Sequence, residues 1–147
     1  MAESEWAKRM AQEFKAGRGR KAEEDAKLLE EERTRKESAS KLWTEVKGAF
    51  KHRAQTFNAA VGEEILTWEA ASVSTFTLRR KDVEGCVKGS YQEAGCEINL
   101  EVLGRLVPFH VAFEDRTGKY CLFGAGSKPS EPDDLAETLI GEFLGKY

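Results

Sequence analysis

Between Arg105 and Phe123 the chain changes polarity at every second residue. Val107, Phe109, Val111 and Phe113 alternate with Pro108, His110 and Ala112. Asp115–Arg116–Thr117–Gly118 then reverses the chain, and Tyr120, Cys121, Leu122 and Phe123 bring it back. A period of two around a glycine-containing turn describes a half-buried hairpin, because successive side chains of a strand point to opposite faces. A helix would scatter these apolar residues around its circumference. The chain must therefore hold a sheet with one buried face, and other segments must extend or cover it.

Three further segments have strand character. Ser72–Arg80 is rich in Ser, Thr and Val, with Phe76 and Leu78 on one side, and Val83–Tyr91 follows with Gly85 and Gly89 inside it. After the turn Gln92–Gly95, Cys96, Ile98, Leu100 and Val102 alternate with Glu97, Asn99 and Glu101. With the hairpin these predict a five-stranded antiparallel meander. Ile98, Leu100, Phe109, Val111 and Phe113 are expected to be buried, and Glu97, Asn99 and Glu101 exposed. Pro108 cannot donate to a ladder, so it is expected beyond the reach of the short returning strand.

Two amphipathic helices are predicted to cover this sheet. Trp43, Val46, Phe50, Ala54, Phe57, Val61, Ile65 and Trp68 span 25 residues in seven steps, a mean near 3.6. This predicts a main helix over residues 39–69, with Gly62 marking a kink or an early end. The stripe serves either the core or an interface, since both uses need the same pattern. Ser130–Glu131–Pro132–Asp133 supplies a serine cap, an early proline and an acidic first turn. Leu135, Leu139, Ile140, Phe143 and Leu144 then predict a closing helix to Tyr147.

The amino-terminal residues read differently. Residues 3–16 suit a short helix with Trp6, Met10 and Phe14 four residues apart on one side, and Gly17 and Gly19 weaken its continuation. Residues 21–37 are dominated by helix formers, with Glu23–Lys27, Glu31–Arg35 and Glu32–Lys36 as i,i+4 pairs. Across residues 18–38 only Ala22, Ala26, Leu28 and Leu29 are apolar, too few for a coiled-coil seam. The expected organisation is a charged helical arm, residues 1–37, followed by an α+β domain, residues 38–147, with a long helix and a short one over the sheet.

The net charge of −3 hides an asymmetry. Residues 1–60 carry 14 Lys and Arg against 11 Asp and Glu, and residues 61–147 carry 9 against 15. An acidic body argues against strong polyanion binding and favours contact between the basic part of one copy and the acidic part of another. Cys86, Cys96 and Cys121 are odd in number, lack C-x-x-C spacing and fall in expected strands, which makes them buried thiols. No apolar run approaches a membrane span and no signal-peptide core opens the chain, so the expected setting is cytoplasmic.

Candidate chemistry is sparse. His110 and Cys121 lie on opposite arms of the hairpin, and a Cys–His pair can generate a thiolate nucleophile, but no third orienting group or oxyanion donor accompanies them. They stand only as weak pocket candidates. His52 has no acidic or cysteine neighbour at helical spacing. The cysteines and histidines fit no zinc pattern, and Gly124–Lys128 lacks phosphate-loop spacing. No cofactor is expected. Lys8, Arg9, Lys15, Arg18, Arg20 and Lys21 around Phe14 could touch phosphates. However, the closing helix is acidic where a double-stranded-RNA-binding domain needs lysines.

These observations favour a non-enzymatic interaction or assembly module that binds itself as a homodimer, or else another protein. Trp6, Met10, Phe14, Trp43, Phe50, Phe57 and Trp68 are its candidate interface. A small-ligand or enzymatic pocket between sheet and helices is the alternative. A nucleic-acid accessory protein using the basic arm comes third.

Overall fold

The computed structural model describes residues 2–126 and 128–145. The chain divides between Thr34 and Arg35 into two compact units. Among the described residues it forms two helices and one seven-stranded sheet. Helix α1 covers Ala2–Val61 and helix α2 Pro132–Phe143. The strands are β1 (Leu66–Ser72), β2 (Thr75–Arg80), β3 (Cys86–Gln92), β4 (Glu97–Val102), β5 (Arg105–Glu114), β6 (Lys119–Phe123) and β7 (Pro129–Ser130). They lie side by side in chain order, each antiparallel to the next. The class is α+β, as expected, with seven strands rather than five.

The first additional strand corrects the length of the main helix. Helix α1 stops at Val61, and Gly62 adopts φ 83° while its N–H donates to Asn58 O at 2.9 Å. A left-handed residue directly after a helix ends it by capping a free carbonyl, and glycine takes that conformation without a Cβ clash. Asn58 then fixes the departing chain. Its Oδ1 accepts from the N–H groups of Ile65 and Leu66, each at 2.9 Å, and its Nδ2 donates to Leu66 O at 2.8 Å. Trp68 therefore belongs to β1, opposite Leu78. The second additional strand, β7, takes Ser130 into the sheet. Glu131 is the N-cap of α2 and makes no side-chain cap bond, so the expected serine cap is also corrected. The expected end of the closing helix at Tyr147 lies outside the described residues.

Gly17 and Gly19 do not interrupt α1. Each costs about 1 kcal/mol against alanine in a helix, and the Ala, Glu, Lys and Arg around them are strong enough helix formers to carry the helix through.

One core cluster joins both helices to a single face of the sheet. From α1 it takes Ala39, Trp43, Val46, Phe50 and Ala54, with Phe57 partly buried at the end of the row. These positions advance 18 residues in five steps, which is the helical repeat. From α2 it takes Ala136, Leu139, Ile140 and Phe143. The sheet contributes Phe76, Leu78, Val87, Ile98, Leu100, Val102, Phe109, Val111 and Leu122. Phe113 shares their face but is 53% exposed, contrary to expectation. It lies two residues past Val111, where Arg35 Nε donates to Val111 O at 2.8 Å, and it meets only the edge of Tyr120, 5.5 Å between centroids. On the other face Glu97 is exposed, whereas Asn99 and Glu101 are half-buried in a row of polar neighbours. Pro108 stands opposite Asn99, and β6 pairs with β5 only from His110 onward.

The tightest packing surrounds Phe76. Its ring lies 4.6 Å from Trp68, 5.1 Å from Phe50 and 5.6 Å from Trp43, centroid to centroid. Below it, across the β2–β3 pair, is Gly89, where a Cβ would stand 2.1 Å from Phe76 Cε1. Only glycine lets the ring rest on the backbone there.

Two glycine substitutions should therefore move stability in opposite directions. Gly89→Ala forces the ring out of its site and should cost ~1–3 kcal/mol or more in denaturant titration. Gly48→Ala, in helix α1 with open space around it, should gain ~0.5–1 kcal/mol. Leu100→Ala should cost ~2–5 kcal/mol by emptying a fully buried site.

Candidate functional site

Within the first unit the described chain is helical from residue 2 to residue 34, and its large apolar side chains are on the surface. Trp6 is 59%, Met10 38% and Phe14 65% exposed, with Leu28 and Leu29 exposed to a similar degree. Residues four apart on a helix fall on one side, so Trp6, Met10 and Phe14 form a continuous row. The Arg18 guanidinium lies over the Phe14 ring, 5.7 Å from its centroid, close enough for a cation–π contact. Farther along, Arg33 pairs with Glu30 at 2.9 Å, an exposed i,i+3 contact of small energetic weight. Leu28 was not among the expected interface residues. Its signal is a spacing of 18 residues from Met10, five helical turns, which returns it to the same side.

The other expected interface residues lie in the second unit. Trp43 and Phe50 are buried, and Phe57 and Trp68 are partly buried against the core. Trp43 Nε1 donates to Val73 O at 2.8 Å, and Lys47 Nζ reaches the same carbonyl at 3.0 Å while lying over the Trp43 ring. The indole thus has its polar edge satisfied and its faces stacked on Phe76 and Tyr91.

By the β5–β6 register His110 and Cys121 fall on the same face of the sheet. The register sets His110 against Phe123 and Cys121 against Ala112, so the two stand on a diagonal instead of directly across. His110 is exposed and stacks on Phe123 at 5.9 Å. Cys121 is buried, with Thr117 Oγ1 at 3.9 Å and Lys119 O at 3.8 Å as the polar atoms near its sulfur. It forms part of the wall of a hollow of about 260 Å³, together with Leu42, Glu45, Tyr120 and Glu131. His52 lines a different hollow, beside Gly48 and Asp133.

A hollow of about 430 Å³ lies between Trp43, Thr44, Lys47, Val73, Tyr91 and Glu93. The Tyr91 hydroxyl is buried without a hydrogen-bond partner. Burial, with Cys96 and Glu93 nearby, raises its pKa above the ordinary tyrosine value and keeps the phenol protonated. Among the described residues no polar or charged residue is fully buried, and no group of three or more His, Cys, Asp or Glu side chains could hold a metal. No described helix is long and apolar enough to cross a membrane.

A buried hydroxyl without a partner costs desolvation and returns nothing. Tyr91→Phe should therefore leave the protein as stable as before or raise its stability by up to ~1 kcal/mol, and a loss beyond ~1 kcal/mol in chemical denaturation would contradict this reading. Compared with family models, curated proteins and solved structures, the chain matches none.

Proposed function

We propose that the protein is a non-enzymatic assembly module that associates with copies of itself through the amino-terminal part of helix α1. The observation that carries this reading is the exposed row of Trp6, Met10 and Phe14, rejoined by Leu28, on a helix segment whose other large exposed side chains, Leu29 apart, are polar or charged. An apolar row on an otherwise solvated helix costs hydration free energy until another surface covers it. A second copy is the cheapest cover, because a two-fold axis lets one interface serve both copies. Three free cysteines suit a reducing compartment such as the cytoplasm.

Light scattering across a dilution series tests the proposal. A dimeric mass at tens of micromolar should give way to a monomeric mass on dilution. Phe14→Ala combined with Leu28→Ala should raise the dissociation constant by about 100-fold, since truncated apolar anchors at the centre of an interface commonly cost that much. A monomeric mass throughout the series would overturn the proposal. So would a dimer indifferent to both substitutions.

A further inference from the structure

We infer that two copies pair by laying residues 14–31 of α1 side by side in antiparallel register, so that the basic half of each segment meets the acidic half of the other. The inference rests on the self-association proposed above and specifies its geometry.

The charge sequence of the helix supplies the first argument. Residues 4–21 carry six Lys and Arg against two Glu, whereas residues 22–34 carry six Asp and Glu against two Lys and Arg. Paired helices lie about 8–10 Å apart, within one Debye length at ordinary salt, so charges across the pair interact. Parallel pairing sets basic on basic and acidic on acidic. Antiparallel pairing sets each block against its complement, twice per dimer.

Helical phase supplies the second. At 100° per residue Trp6, Met10, Phe14, Gly17, Lys21, Glu24 and Leu28 all fall within about 40° of one line along the helix. When residue i stands opposite residue 45 − i, Leu28 lies over Gly17 and beside Phe14, and Lys21 meets Glu24. Both contacts occur twice. Gly17 has open space where a Cβ would stand, so the isobutyl group can approach the backbone. This gives a use to a glycine that is otherwise unfavourable inside a helix. Trp6 and Met10 lie beyond this central overlap.

Charge reversal and cross-linking on the full chain test the register, with circular dichroism confirming that each variant keeps its helix. Lys21→Glu and Glu24→Lys should each weaken the dimer about tenfold, and the double variant should return to within about threefold of the parent, because the pair is restored with its signs exchanged. In a parallel pair Lys21 faces Lys21 and Glu24 faces Glu24, so neither reversal would matter and nothing would be rescued. Under mild oxidation, Gly17→Cys mixed with Leu28→Cys should give a 17–28 link identified by peptide mass, and neither variant alone should link at its new cysteine. Links of 17 to 17 and 28 to 28, or an affinity unchanged by both reversals, would overturn the antiparallel register while leaving self-association standing. A monomer at every concentration would remove the proposal beneath it.

Discussion

The body of the protein depends on an aromatic ring resting where a side chain is missing. Phe76 lies on the backbone of Gly89, and Trp43, Phe50 and Trp68 close around it. Four elements meet there, since Trp43 and Phe50 come from α1, Trp68 from β1, Phe76 from β2 and Gly89 from β3. Any Cβ at position 89 would expel the ring and separate the helix from the sheet at its most closely stacked point. Aromatic pairs of this geometry add to the area they bury, so the cluster fixes helix position as well as burial. The left-handed Gly62 and the Asn58 clasp follow from the same need, because the chain must leave the helix in time to bring Trp68 back onto Phe76.

Once both helices cover one face, the second unit has little left to bury. Across β1–β4 the opposite face carries Thr67, Thr77, Lys88, Ser90, Asn99 and Glu101, a polar surface of the kind an antiparallel sheet presents to water. Edge strand β1 loses regular register between Glu69 and Ser72, and an irregularity of this kind discourages another strand from adding there. Val73, Val83 and Leu103 are exposed at turns, Leu106 and Phe113 on β5 and Val61 at the end of α1, and scattered apolar residues of this kind are ordinary on a protein surface. The exposed residues of the first unit differ in kind. They are large, they repeat at helical spacing, and they belong to a segment with no sheet of its own to cover them.

The sheet was the most legible part of the fold, because a period of two admits no other reading. From β2 to β6 the strands follow the alternation within a few residues at their ends. The main helix misled at its end through coincidence. Ile65 and Trp68 continue the 3.6-residue spacing past Val61, so periodicity alone could not separate a longer helix from a helix followed by a strand. Gly62 held the decisive signal, and its φ of 83° is a backbone property that glycine permits without announcing. Gly17 and Gly19 misled in the other direction, since local propensity summed over their neighbours outweighed them. Phe113 obeyed the alternation but fell past the end of the packed face, and strand periodicity carries no information about where a covering helix begins. At the candidate site, the row Trp6, Met10 and Phe14 was readable from spacing. Leu28 required counting about four turns on from Phe14, past Gly17, Lys21 and Glu24 on that line.

Hydrogen exchange followed by mass spectrometry at two protein concentrations tests the central claim most directly. A helix without tertiary support opens readily, so its amides exchange much faster than those of a packed core. If the amino-terminal helix is an interface between copies, amides of residues 6–28 should be substantially more protected at tens of micromolar than below one micromolar. Amides of β2–β5 should exchange alike at both. Equal exchange of residues 6–28 at the two concentrations would contradict the account.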